Sequence, residues 1–280
     1  MKAYIVVFIC LATRAVHAEL ASDISTDTWL AALKRFISRR GKPTDMYSDN
    51  GGNFEKGNTE LIRLRALYHS SFSSMENFAV DEGIKWHFNP PSAPHFGGIW
   101  EAAVKSVKNH LIKTIGNEKL TFEEMYTLLS SIEATLNSRP LCPLSTDPND
   151  FSVLTPGHFL VGGPLNSLPE PDLSHVKLPH LDIYQNIQRL QESFWSRWKT
   201  EVLAEYQKKS KWLKERKNLE INDCVLIVDD NKKSKEWRMG RIIKLHPGSD
   251  NKVRAVTIKT STGEMERPIH KLCLLPLKSE

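Results

Sequence analysis

Two carboxylates and one run of basic side chains are the groups in this sequence best placed to do chemistry. Residues 89–108 pass from a proline-braked segment (Pro90, Pro91, Pro94) through Gly97-Gly98 into a stretch free of glycine and proline from Glu101 to Ile115. Proline forbids a helix before this point, and its absence allows one after it, so the spacing predicts a helix with Glu101 in its first turn. Val104, Val107, Leu111 and Ile115 recur at three- and four-residue intervals as an apolar stripe, while Glu101, Lys105 and Lys108 share a neighbouring face. Taken alone, that face is a solvated one whose Glu-to-Lys pair, four residues apart, is worth ~0.2–0.5 kcal/mol. The second carboxylate, Asp49, sits where Asp45-Met-Tyr-Ser gives way to Asp49-Asn50-Gly51-Gly52. A short strand running into a polar, glycine-rich turn puts Asp49 at a strand's carboxyl end, where ligands of open α/β sheets collect. Asp-Asn-Gly is also ordinary turn chemistry.

The basic run is residues 197–217. It holds Arg197, Lys199, Lys208, Lys209, Lys211, Lys214, Arg216 and Lys217 against Glu201, Glu205 and Glu215, an excess equal to the net charge of the whole 280-residue chain, +5. Such a run is either a solvated helix face or a surface that meets phosphates. The four cysteines, Cys10, Cys142, Cys224 and Cys273, are far apart with no paired spacing, which indicates neither a zinc module nor a disulfide framework and fits a reducing compartment. With 40% hydrophobic and 25% charged residues the chain is globular and long enough for one large domain or two ordinary ones.

The elements that must position these groups follow from periodicity. Residues 1–18 imitate a secretory signal, with the apolar run Ala3 to Ala12 and then Ala15-Val-His-Ala18. The run is too short to span a membrane, and the unpaired cysteines and Arg14 speak against secretion. The preferred reading is two strands, Ala3 to Cys10 and Ala15 to Leu20, joined by a short turn. Ser25 or Thr26 caps a helix that runs through Trp29, Leu30, Leu33, Phe36 and Ile37 to Arg40, where Gly41 stops it. Residues 58–82 read as helix, and Ile84 to Phe88 as a strand feeding the proline segment. Thr121 with Glu124 has capping-box spacing and opens a helix to about Asn137. Residues 141–181 are proline-rich and should hold little regular structure. Residues 183–216 have a helical pattern, with Ile187, Leu190, Phe194, Trp195, Trp198, Val202 and Tyr206 on the apolar side. From Asn222 the period becomes two: Cys224–Val228, Trp237–Leu245, Val253–Lys259 and Glu266–Leu275 read as four or five short strands, a small barrel of the SH3-like kind.

Several of these parts occur in an order that resembles a known family. Ser-Asp-Asn-Gly at 48–51, Pro-Pro-Ser-Ala-Pro-His-Phe-Gly-Gly-Ile-Trp-Glu at 90–101, Leu-Asn-Ser-Arg-Pro-Leu at 136–141 and Leu-Thr-Pro-Gly-His-Phe-Leu at 154–160 closely resemble integrases of BEL/Pao-type retrotransposons. The resemblance implies an α/β fold: a ribonuclease-H-like integrase core lacking its first strand (1–165), a proline-rich linker and basic helix (166–218) and a small SH3-like β domain (219–280). It implies DNA 3′-end processing and strand transfer, with three carboxylates holding two divalent ions, Mg²⁺ or Mn²⁺. Two hard cations about 3.5–4 Å apart activate the attacking oxygen and stabilise the leaving one, and carboxylates from different elements must converge to hold them.

In that pattern Asp49 matches the second carboxylate and Glu101 the third, both as catalytic metal ligands. Lys105 and Lys108 would meet DNA phosphates beside the metals, and Lys208, Lys209, Lys211 and Lys214 would add a further DNA-binding surface. The first carboxylate of the family precedes the hairpin and has no counterpart here, so the resemblance implies little or no strand transfer by the chain as given. The alternative is a domesticated, non-enzymatic nucleic-acid-binding protein. The expected partners are DNA and further copies of the chain, with no membrane, in the nucleus or cytoplasm.

Overall fold

The structure, a computed structural model, describes residues 3–48, 55–62, 84–88, 98–165, 182–207, 218–228, 237–248 and 252–276. The chain packs as two compact units, residues 1–109 and 110–280.

In the first unit, β1 (Tyr4–Ile9) and β2 (Val16–Ala21) form an antiparallel hairpin in register Tyr4↔Ala21 to Ile9↔Val16. The signal-like terminus is therefore a pair of strands. All six residues of β2 are buried, polar ones included. Helix α1 (Thr26–Arg40) packs on β2; the Ser25 hydroxyl accepts from the Thr28 N–H at its start, and Gly41, at φ 87°, ends it in the left-handed region that favours glycine. A second sheet consists of β3 (Asp45–Ser48) and β4 (Lys85–Phe88), parallel and in register. Between them residues 55–62 are helical (α2), and the expected helix beyond residue 62 lies outside the described residues. Trp29 ties these parts together. Its ring meets Trp86 at 5.0 Å between centroids, and Gly57 of α2 approaches so closely that a Cβ there would stand 3.1 Å from the indole.

Helix α3 (Gly98–Ile115) begins earlier than the glycine-free stretch alone required. Val107 and Leu111 of its apolar stripe are buried, but Val104 is exposed, so the packed stripe is narrower than the sequence suggested.

The second unit contains α4 (Phe122–Asn137), a short β5–β6 hairpin (Cys142–Pro143 with Val153–Leu154), the four-residue helix α5 (His158–Val161) and the long helix α6 (Ile183–Tyr206). The capping box is present: the Thr121 hydroxyl accepts from the Glu124 N–H, and the Glu124 carboxylate from the Thr121 N–H. Ile187, Leu190, Phe194, Trp195, Trp198 and Val202 of α6 are buried, as the helical spacing predicts.

The carboxy-terminal sheet has five antiparallel strands, β7 (Cys224–Ile227), β8 (Met239–Pro247), β9 (Val253–Thr260), β10 (Gly263–Pro268) and β11 (Leu272–Leu274), in the order β10-β9-β8-β7-β11. Bulges between Ile242 and Lys244 and between His246 and Pro247 bend β8, and the sheet curls into an SH3-like half-barrel. Two sequence expectations are corrected here. Trp237 precedes β8 rather than starting it. Glu266–Leu275 is two strands, because Pro268 cannot donate to a ladder and the chain makes a 3₁₀ turn at Ile269–Lys271 before β11. Inside the curl pack Val225, Ile227, Ile242, Val256 and Ile258. The opposite face of β7, Cys224 and Leu226, packs with Leu203 and Tyr206 of α6 and with Cys273 and Leu275. Strand β7 is thus buried on both faces, which explains its unbroken apolar run.

Candidate active site

The strand that precedes Asp49 and the helix that contains Glu101 are both present. β3 and β4 run parallel with Ser48 opposite Phe88, so both strands end on the same edge of their sheet. Asp49 is the next residue after Ser48, and the residues after Phe88 lead to α3, whose first turn contains Glu101. Ser48 is buried, and its hydroxyl accepts the Trp86 indole N–H at 2.9 Å, fixing the last residue of β3 against β4. On the solvent face His87 donates to Asp45 at 2.8 Å and stacks on Tyr47, with ring centroids 4.5 Å apart. The His87 hydrogen bond holds the Asp45 carboxyl below the usual range, with Thr44 contributing.

Asp49, the side chains of Glu101 and Lys105, and Lys208, Lys209, Lys211 and Lys214 lie outside the described residues. Lys108 is exposed on α3. Among the described residues no group of three or more His, Cys, Asp or Glu could hold a metal ion, and both expected ligands fall outside that set. The chemistry of the expected donors suits the metal: carboxylate oxygens are what a hard divalent cation takes.

The other two motifs come together elsewhere and do structural work. Leu136–Leu141 ends α4, and Leu154–Leu160 leads into α5. The Gly157 N–H donates to the Asn137 carbonyl at 2.9 Å, and the Leu141 N–H to the Leu154 carbonyl at 2.7 Å. A Cβ at Gly157 would stand 3.1 Å from the Leu165 N and 3.3 Å from the Asn137 carbonyl, so the position is fitted to glycine. The Tyr206 hydroxyl donates to the Pro140 carbonyl at 2.6 Å, which fastens the same knot to α6.

Three polar clusters were not anticipated from the sequence. In the first unit Glu19 is fully buried and accepts from His17, from Arg35 Nε at 2.6 Å and from Arg39 Nη1 at 2.8 Å. Arg40 Nε, which can only donate, reaches His17 Nδ1 at 3.3 Å, so Nδ1 is the acceptor and Nε2 carries the proton given to Glu19. In the second unit His110 and Glu201 are 2.6 Å apart across α3 and α6. There too the buried Arg241 holds the carbonyls of Ser145, Asp150 and Asn222, docking the β5–β6 loop on the sheet. The available signal was a Glu, a His or an Arg inside an apolar strand or stripe.

No helix among the described residues is long and apolar enough to cross a membrane. Among curated proteins none matches the chain. Among solved structures the chain is similar to one in the cryoEM structure of the simian T-cell lymphotropic virus intasome in complex with PP2A regulatory subunit B56 gamma. The identity is 14%, the match covers 99% of this chain and 78% of that one, and the TM-score of 0.35 is too low to fix a fold. Residues 182–275 match the model of a family of unknown function, DUF5641. Residues 1–94, which carry the β1–β2 hairpin, α1 and the β3–β4 pair, match the model of the integrase core domain. The mixed α/β architecture is consistent with a ribonuclease-H-like integrase core, and it is residues 1–94 that are similar to the integrase core domain.

Proposed function

We propose that the chain is the core and carboxy-terminal part of a BEL/Pao-type retrotransposon integrase, acting on DNA by polynucleotidyl transfer as a multimer. The observation that carries the reading is the integrase core match over residues 1–94. It is supported by the shared edge at which β3 and β4 end, with Ser48 paired to Phe88 and Asp49 next after Ser48 in the sequence. Asp49 and Glu101 would hold Mg²⁺ or Mn²⁺, and the bound metal would supply Lewis-acid stabilisation of charge on the reacting phosphate. Lys105 and Lys108, one and two turns beyond Glu101, would contact phosphates and set the register of the DNA without reading its sequence. Lys208, Lys209, Lys211 and Lys214 would add salt-sensitive, sequence-independent affinity.

The test is joining of a labelled duplex end into plasmid DNA with Mg²⁺ or Mn²⁺, in parallel with DNA binding. Any joining should disappear in Glu101→Gln while binding persists. Joining that survives this substitution at full rate would contradict the role given to Glu101. The alternative, nucleic-acid binding without chemistry, draws on the basic excess of residues 197–217. It predicts the same binding and no joining by either protein.

A further inference from the structure

A second basic surface lies in the first unit, on the carboxy-terminal half of α1. Residues 28–44 contain Lys34, Arg35, Arg39, Arg40 and Lys42 and no acidic residue. Basic residues in the last turn complement the helix dipole, which accounts for Arg39 and Arg40 but not for Lys34, a turn earlier.

The geometry sets this cluster apart from an ordinary solvated face. Arg35 and Arg39 both grip the buried Glu19 carboxylate, Arg35 also donates to the Leu20 carbonyl at 3.0 Å, and Arg40 is held by His17. Three arginines are thereby fixed in a row by one carboxylate and one imidazole of β2. Their side chains stay partly in solvent, 38% exposed for Arg35 and 45% for Arg39. Lys34 and Lys42 beside them are exposed. Residues 28–44 thus carry five basic side chains, two of which meet the Glu19 carboxylate of β2. A guanidinium whose orientation is already set loses less freedom when it takes a phosphate, and its planar fork matches phosphate oxygens.

We propose that this face of α1 is a contact surface for the backbone phosphates of duplex DNA, separate from the run at 197–217. The inference rests on the reading of the chain as a DNA-acting integrase and adds a second place where DNA lies on it. Contacts of this kind add affinity and fix orientation without sequence preference.

The experiment uses the full chain and a fluorescent duplex of arbitrary sequence, with affinity measured between low and moderate salt. Lys34→Glu with Lys42→Glu removes none of the side chains that hold Glu19, and thermal melting of the variant checks that it is folded. DNA affinity should fall about tenfold or more, and the slope of log affinity against log salt should become shallower by about two. Reversal of Lys208, Lys209, Lys211 and Lys214 is the parallel arm. An unchanged slope in the Lys34/Lys42 variant, with DNA still bound and the parallel arm weakened, overturns this surface and leaves the proposed function standing. Failure of the unaltered chain to bind DNA at all overturns both.

Discussion

At the scale of single residues, Glu19 is the group on which the first unit leans hardest. A carboxylate with no exposure is costly unless its partners are present, and here an imidazole and two guanidiniums satisfy it. Glu19→Gln keeps the shape but removes the charge that holds Arg35 and Arg39. It should lower stability by on the order of 2–3 kcal/mol in urea denaturation, less than a fully buried pair because both arginines reach solvent. A neutral result would mean that the network is incidental.

The cysteines give a second residue-scale test. Burial pushes the Cys10 thiol up, but hydrogen bonds from the Thr13 side chain and from the Thr13 and Ala12 backbone, with the charge of Arg14, bring it below its ordinary value. Burial raises Cys224 and takes Cys273 up to about 11. Iodoacetamide at mildly alkaline pH should therefore alkylate the exposed Cys10 well before Cys224 and Cys273, whose labelling should follow unfolding of the sheet. Mass spectrometry showing Cys224 or Cys273 labelled first in folded protein would contradict the packing. The sequence shows a Glu and a His inside an apolar strand but not their partners. Glu19 and its arginine partners are 16 and 20 residues apart, and only the fold shows that they meet.

Among the elements, those with local signals were legible and those shaped by tertiary contact were not. The Ser25 cap, the Gly41 stop and the Thr121–Glu124 box are short-range chemistry and appear where spacing placed them. Val104 reads as part of a packed stripe yet lies exposed, because the width of a buried face depends on what covers it. Glu266–Leu275 reads as one alternating strand, and only Pro268 hints at the break. Thr121→Ala should cost the second unit about 1 kcal/mol at neutral pH.

The other half of the capping box is pH-dependent. The Thr121 backbone N–H, followed by its side chain, lowers the pKa of Glu124 in the folded state. The carboxylate's contribution is present above the ordinary glutamate range and is lost as pH falls through the lowered value. The difference between Glu124→Ala and the unaltered chain should thus shrink in acid, and a difference constant down to strongly acid pH would sink the reciprocal cap. In the curled sheet, a Cβ at Gly240 would stand 2.3 Å from Ile258 Cγ2 and 3.0 Å from the Lys259 carbonyl. Gly240→Ala must push β8 from β9 and should destabilise by on the order of 1–3 kcal/mol. Equal denaturation midpoints for the two proteins would show that the strands have room to spare.

For the molecule as a whole, fold class and element order followed from hydrophobic period and turn chemistry, while the site was legible mainly as motifs. Asp49 and Glu101 are unremarkable alone, one a turn residue and the other half of a helical Glu–Lys pair. Asp49 gains weight from the parallel β3–β4 pair and from the integrase core match over residues 1–94, which stops short of Glu101. The motifs at 136–141 and 154–160 lie outside both matched regions and serve the packing of α4, α5 and α6.

The central claim is that Asp49 and Glu101 hold a divalent metal on an integrase core. A titration of Mn²⁺ into the chain, followed by calorimetry or by the paramagnetic signal of free Mn²⁺, tests it most directly, beside Asp49→Asn, Glu101→Gln and Asp45→Asn. Asp45 is a control, a carboxylate on the same strand already engaged by His87. The account predicts that Mn²⁺ affinity falls tenfold or more in the first two variants and is unchanged in the third. Equal affinity in all four proteins, or a loss in Asp45→Asn alone, would contradict it.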